Sequence, residues 1–215
     1  MPRPARFNDD QILTATRRLI AAHGPDAATV AAIGRAVGAP TGSIYHRFRS
    51  RDVLVGEVWL QAAAAFQMAF FGRLNGSPPR AAGLAAALSM VHRVREQPHE
   101  ARLLLLHRRE DFVDRGWPVT MRRRAAALGR QVEAELDAFS RRLTGRQDVR
   151  AVRIVTYAVL DAPFAVVRRH VAAGETPPAD AETLIGVTYN AVVDFLGIPG
   201  TSDPPAHRRH GKEER

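Results

Sequence analysis

Apolar residues recur every three or four positions along most of the chain, which is the pattern of helices with one buried side. The first such stretch begins after Asn8, which resembles the start of a capping box with Gln11 three positions later. Ile12 and Ile20 lie on its apolar face, and the sequence His23-Gly24-Pro25 ends it. We therefore predict a first helix that packs across the elements following it.

Residues 29–54 predict a helix-turn-helix followed by the start of a longer helix. The Thr29 hydroxyl can cap the first of these helices, and Val30 and Ile33 form its apolar side. Gly38 ends that helix, and Pro40 suits the first turn of the next one because its missing N–H needs no partner there. The exposed side of this second short helix is predicted to carry Thr41, Ser43, Tyr45, His46 and Arg47.

The remaining pattern predicts six more helices and no strand. Their predicted ranges are 50–72, 80–96, 99–113, 119–143, 147–173 and 179–196. Pro163 lies inside the eighth helix and should kink it. The prediction is an all-α protein of about nine helices. Its predicted parts are a three-helix domain at 1–51, a ligand-binding and dimerisation domain at 52–197, and a disordered tail at 198–215.

The stretch Thr29 to Leu54 reads TVAAIGRAVGAPTGSIYHRFRSRDVL. Its glycine turn, the segment 42–48 (GSIYHRF) and the segment 50–54 (SRDVL) resemble the DNA-binding domain of the TetR/AcrR (tetracycline-repressor) family of transcriptional regulators. The family often has a polar or basic residue where Ala31 lies and a lysine where Thr41 lies. The resemblance implies nine helices, a homodimer joined through its last two helices, and an effector cavity enclosed by helices four to eight.

The charge of the chain favours a polyanionic partner. It carries 31 basic and 22 acidic residues, a formal net charge of +9, and its pI is near 11.2. Residues 1–51 hold eight arginines and three aspartates, so they contribute 8 − 3 = +5 of that excess. We therefore predict that the N-terminal part of the chain contacts DNA.

Cysteine is absent, which excludes disulfides and thiolate zinc sites. The N-terminal residues lack the apolar core of a signal peptide, so we expect a cytoplasmic protein. The segment 53–72 is the nearest thing to a membrane span, but its polar Gln61 and Gln67 favour a buried helix of a soluble protein.

The candidate DNA-binding residues combine groups that reach base edges with groups that neutralise phosphates. Thr29 lies at a helix N-terminus, where it can hold a phosphate, cap the helix, or do both. Arg17 and Arg18 of the first helix form either a solvated face or further phosphate contacts. The predicted DNA-binding set is Thr29, Thr41, Gly42, Ser43, Tyr45, His46, Arg47, Arg49 and Arg51. A dimer would present two such sets to a palindromic operator.

The helices after residue 52 carry two further candidate sets. An apolar or aromatic effector is weakly indicated by Trp59, Phe66, Phe70, His107, Met121, Phe139, Tyr157 and Phe164, each of which also suits an ordinary core. The predicted dimer interface comprises Val155, Val159, Leu184, Val187, Thr188, Ala191, Val192 and Phe195.

Sequence signatures of catalysis are absent: the chain has no P-loop, no dinucleotide-binding glycine run, no His-Glu-x-x-His and no Gly-x-Ser-x-Gly. No enzyme activity, cofactor or metal site is predicted. The most consistent interpretation is a ligand-responsive DNA-binding regulator, most simply a repressor released by a small effector. The alternative is an all-helical ligand-binding or enzymatic bundle whose N-terminal helices contact protein instead of DNA.

Overall fold

The N-terminal helices form as the caps and turns in the sequence predict. The structure, a computed structural model, describes residues 7–107, 112 and 116–198. Helices α1 (Asp9–His23), α2 (Val30–Val37) and α3 (Thr41–Arg47) make up the N-terminal unit, with a short 3₁₀ turn between α1 and α2. The capping box of α1 is present in both directions, with two hydrogen bonds of 2.8 Å between Asn8 and Gln11. Gly38 ends α2 in the left-handed conformation, at φ 68° and ψ 29°.

The remaining described chain is also helical. These helices are α4 (Arg51–Leu74), α5 (Pro79–Glu96), α6 (Pro98–Leu106), α7 (Val119–Thr144), α8 (Val149–Thr156), α9 (Ala162–Ala173) and α10 (Asp180–Phe195). The π turn Tyr157–Asp161 joins α8 to α9 without a break. If α8, the π turn and α9 are counted as one continuous helix, the described residues form nine helices and no strand. The all-α prediction is therefore confirmed.

The sixth helix is shorter than predicted. It ends at Leu106, because His107 takes an extended conformation with φ −118° and ψ 142°. Most of the rest of the predicted helix, residues 108–111 and 113, lies outside the described residues. Nearly all of the predicted disordered tail lies outside them as well.

The sequence predicts a kink at Pro163, and the structure has a π turn immediately before this residue. Pro163 has no N–H to donate, and the preceding turn widens so that the Ala162 N–H donates to the Tyr157 carbonyl. The helix runs on with Val155 and Val159 pointing inward, where they are 1% and 0% exposed. The prediction that these two valines form a dimer interface is therefore wrong, because they belong to the core of the protomer.

Two hydrophobic clusters meet along α4. The first joins α1–α3 to the first half of α4 and to parts of α6 and α7. The second joins the end of α4 to α5 and α7–α10. Its buried Tyr189 donates to the Arg80 carbonyl at 2.9 Å, and burial raises the pKa of Tyr189 to about 12. The two clusters thus share α4, which connects the helix-turn-helix to the rest of the molecule.

Helix α10 is tied to α5 at both ends. At one end Arg80 donates to Asp194 at 2.7 Å and to the Ile198 carbonyl at 2.6 Å. At the other end Arg95 binds Glu182, and this hydrogen bond holds the pKa of the Glu182 carboxyl below its usual value. These contacts fix which side of α10 faces the core.

Within the described chain, α4 is the one helix long and apolar enough to cross a membrane. It packs instead against α1, α5, α6 and α7, as the prediction of a buried helix requires.

Candidate nucleic-acid interface and effector cavity

Helix α3 is held against α2 by a short turn and by buried aliphatic side chains. Ile33 and Ile44 are 0% and 1% exposed, and the Ala39 N–H donates to the Gly34 carbonyl at 2.9 Å. With Ile44 anchored, the opposite side of α3 faces outward. This is the arrangement of a helix-turn-helix, in which the second helix is presented for recognition.

The outward side of α3 is polar and open. Thr41, Gly42, Tyr45 and His46 are exposed, and Ser43 is half-buried. Tyr45 in particular is 53% exposed, which is unusual for so large a side chain in a folded domain. A hydroxyl, a phenol and an imidazole on one exposed helix face can donate to base edges and phosphates.

Two hydroxyls cap the helices on either side of α3. Thr29 accepts from the Ala32 N–H at 3.1 Å, and Ser50 accepts from the Val53 N–H at 3.2 Å. Thr29 is exposed, so its capping role leaves the N-terminus of α2 accessible to a phosphate.

Arg47 is tied to the start of α1. Its guanidinium forms an ion pair with Asp9, donates to the Phe7 carbonyl at 3.4 Å, and lies 5.9 Å from the centre of the Phe7 ring. Part of its charge is therefore neutralised within the domain, although the residue remains on the surface.

Arg51 fastens the helix-turn-helix internally. It donates to the Ala28 carbonyl at 3.2 Å, to the Pro25 carbonyl, and to the carboxylate of Asp52 at 3.0 Å. Its side chain is 31% exposed. Of the three arginines predicted to neutralise phosphates, Arg49 is exposed and carries no ion pair with any described residue.

We expect Arg51→Met to destabilise the protein by about 1–2 kcal/mol, because two loop carbonyls lose a charged donor that is only partly exposed to water. Urea unfolding of the purified chain measures this change. Arg49→Met is the matched control and should leave the free energy of unfolding unchanged. Equal stability of the two variants would contradict the internal role of Arg51.

Arg17 does not belong to a solvated face or to the predicted phosphate contacts. It lies 3.8 Å from the carboxylate of Glu100 on α6, and Glu100 also accepts from Arg93 of α5 at 2.7 Å. The sequence pattern gives no signal for this contact, because its members come from three helices far apart in the chain. It links the N-terminal unit to the larger helical part.

A small apolar cavity lies between α4, α5, α6 and α9. Its volume is about 20 Å³, room for about one water molecule. Phe66 and Phe164 line it with ring centroids 5.8 Å apart, and Arg93 and Glu100 form its charged corner. Among the predicted effector-binding residues, these two phenylalanines are the ones that the structure brings to this cavity.

The other predicted effector-binding residues lie elsewhere. Trp59 and His107 pack around Phe112, with ring centroids 6.3 Å and 5.9 Å away. Met121 is buried in the first cluster, and Phe70 and Phe139 are buried in the second. Tyr157 is 48% exposed on the outer surface, so it does not line the cavity.

One side of α10 is apolar and exposed. Leu184, Val187 and Phe195 are 49%, 63% and 69% exposed, and Ala191 lies on the same stripe. Thr188 and Val192 border it and are half-buried. A groove of about 300 Å³ between α9 and α10 adjoins this stripe. Exposed apolar stripes of this kind mark association surfaces.

The helix-turn-helix matches a known family. Residues 12–58 fit the profile described as bacterial regulatory proteins, tetR family. The chain is also 29% identical over 182 residues to the HTH-type transcriptional repressor Rv1474c of Mycobacterium tuberculosis, a match that covers 81% of this chain and 87% of the repressor. These two matches support a TetR-family regulator. The matched region includes α2 and α3, so the exposed face of α3 lies within it.

Solved structures of transcriptional regulators share the fold over most of the chain. PfmR of Thermus thermophilus superposes with a TM-score of 0.66 at 19% identity, covering 87% of this chain and 96% of PfmR. FadR of Bacillus subtilis, solved in complex with stearoyl-CoA, superposes with a TM-score of 0.63 at 15% identity, covering 88% and 97%. The likeness therefore extends beyond the helix-turn-helix into the helices that surround the cavity.

Proposed function

We propose that this TetR-family protein is a cytoplasmic repressor that binds a palindromic DNA operator as a homodimer and is controlled by a small apolar effector. The observation that carries the DNA part is the open polar face of α3, with Thr41, Tyr45 and His46 exposed and Arg49 beside it. The repressor assignment is supported by the repressor of M. tuberculosis, the curated relative described above.

Control by an effector is supported by the cavity and by the fold. FadR of B. subtilis was solved in complex with stearoyl-CoA, so a protein of this fold binds a small molecule. The cavity lined by Phe66 and Phe164 lies where α4, α5, α6 and α9 converge, so a molecule entering there contacts the helix that leads to the helix-turn-helix.

The experiment that tests the DNA part is selection of operators from a random duplex library, followed by affinity measurements at two salt concentrations. We expect an enriched palindrome whose half-sites lie about 34–36 Å apart, or a multiple of it, and binding that weakens steeply with salt. If no sequence is enriched and binding does not depend on salt, the N-terminal helices serve another purpose, such as contact with protein.

Dimerisation through α10 gives a second prediction. Val187→Glu should yield a monomer that loses most of its operator affinity, because a charge would be buried in the apolar stripe that we propose pairs with its copy. Multi-angle light scattering measures the mass and anisotropy measures the affinity. Val149→Glu is the control, since Val149 is 86% exposed and lies off α10. A Val187→Glu variant that stays dimeric would place the interface on another surface.

A further inference from the structure

The charged corner of the cavity joins the effector site to the N-terminal unit through one carboxylate. Oε2 of Glu100 accepts from Arg93 at 2.7 Å, and both residues line the cavity. Oε1 of the same carboxylate lies 3.8 Å from Nη1 of Arg17 on α1. Glu100 is thus shared between the wall of the cavity and the helix that packs on the helix-turn-helix.

The corner carries a surplus positive charge. Two guanidiniums face one carboxylate, so the net charge is 2 − 1 = +1, and the three side chains are only 23%, 23% and 13% exposed. Nε of Arg17 is buried and finds no acceptor among the described residues. A buried donor without an acceptor is unfavourable, as is a partly buried net charge. This corner would therefore be stabilised by one more negative group.

The remaining walls are apolar. They are formed by Phe66, Met90, Val94, Ala101, Leu104, Leu105 and Phe164. A cationic head group here would raise the net charge of the corner, and a neutral one would leave it unchanged. An anionic head group would neutralise the net charge of the corner. The apolar part of the same ligand would then lie between the rings of Phe66 and Phe164.

We propose that the effector is an anionic amphiphile, an apolar chain that ends in a carboxylate or similar small anion, and that its head group displaces Glu100 from Arg93. This inference rests on the proposed function, because it identifies the chemical class of that effector. The apolar chain would part Phe66 and Phe164, whose rings nearly close the cavity in this structure.

The same displacement reaches the DNA-binding unit. Glu100 lies on α6, which packs against α1. On the same helix Arg102 donates to the Ala21 carbonyl of α1 at 2.6 Å and to the Val171 carbonyl of α9 at 2.9 Å. Movement of Glu100 away from Arg93 therefore changes the contact between α6 and α1, so effector binding and operator binding are coupled.

The class of ligand is tested with three probes that share one apolar chain: octanoate, octanol and octyltrimethylammonium. Isothermal titration calorimetry on the full chain should give octanoate an affinity at least about tenfold above that of the other two, since a charge-assisted hydrogen bond separates them. Equal affinities, or tightest binding of the ammonium compound, would overturn the proposal.

Variants separate recognition of the head group from general damage to the cavity. Arg93→Met should lower the affinity for octanoate to that for octanol and leave the affinity for octanol unchanged. Arg150→Met is the control, since Arg150 is exposed, and it should change neither affinity. Glu100→Gln should bind octanoate several-fold more tightly than the wild type, because the competing carboxylate is gone. Damage to the fold would not produce such a gain. A loss of octanoate affinity in Glu100→Gln would contradict the competition.

Operator affinity with and without saturating octanoate tests the coupling. The wild type should show a clear change, and Glu100→Gln a smaller one. An operator affinity that octanoate leaves unchanged would refute the coupling. The two proposals fail differently: a protein without salt-dependent DNA binding is not the proposed repressor, whereas one that binds DNA but does not prefer octanoate refutes only the anionic effector.

Discussion

Gly56→Ala should destabilise the protein by about 1–3 kcal/mol, the usual cost of overpacking a filled core. A Cβ atom at position 56 would lie within 3.0 Å of three ring atoms of Trp117, and this indole is only 1% exposed. The ring sits directly on the backbone of α4 and cannot move aside without displacing its own neighbours. Urea unfolding followed by circular dichroism measures the change.

Gly72→Ala on the same helix is the matched control. Nothing lies within 4 Å of a Cβ atom at that position, so alanine should stabilise the helix by a few tenths of a kcal/mol up to about 1 kcal/mol. Trp117→Phe should recover part of the cost of Gly56→Ala, since the two residues are in contact and their effects are not additive. If Trp117 is not the obstacle, Gly56→Ala should destabilise the wild type and the Trp117→Phe variant by the same free energy of unfolding.

Arg49→Glu should weaken binding to duplex DNA of any sequence by about a hundredfold near 0.1 M salt, because it replaces one proposed phosphate contact with a repulsive charge. Arg49 is exposed beside α3 and, unlike Arg47 and Arg51, has no ion pair with a described residue. Its charge is therefore free for DNA. Fluorescence anisotropy with a labelled random duplex gives the affinity, and the slope of log affinity against log salt should fall by about one to two.

Arg150→Glu is the control for this experiment, since it makes the same change in net charge far from the helix-turn-helix. Arg150 is exposed at the start of α8, which follows the end of α7. This end of α7 lies beside the end of α4, because Arg142 of α7 donates to the carbonyl of Leu74, the last residue of α4. The long α4 separates this region from α3. Equal losses in the two variants would mean that net charge, and not a contact at Arg49, governs the affinity.

The local elements of the N-terminal unit follow from short-range chemistry, so the sequence predicts them well. The caps by Asn8, Thr29 and Ser50 form as predicted, because a cap involves residues only three positions apart. The turn at Gly38 forms for the same reason, since its left-handed conformation depends on that residue alone.

The errors concern the direction in which side chains point once helices pack together. Val155 and Val159 have the right spacing for an interface, but both side chains point into the hydrophobic core of the protomer. Tyr157 has the right chemistry for a cavity but lies on the surface. Helical periodicity gives the relative positions of residues around one helix, and it does not tell which neighbouring helix, or which solvent face, each side will meet.

Residues 29–54 carry enough local information to predict the helix-turn-helix, its exposed residues and the family resemblance from the sequence by itself. Which of their charges remain free for DNA was decided only by the tertiary structure, which ties Arg47 to Asp9 and Arg51 to the loop before α2. The tertiary structure likewise decides that the carboxylate of Glu100 lies between Arg17 and Arg93. Ion pairs between distant helices depend on how those helices cross, and periodicity along the chain carries no record of that crossing.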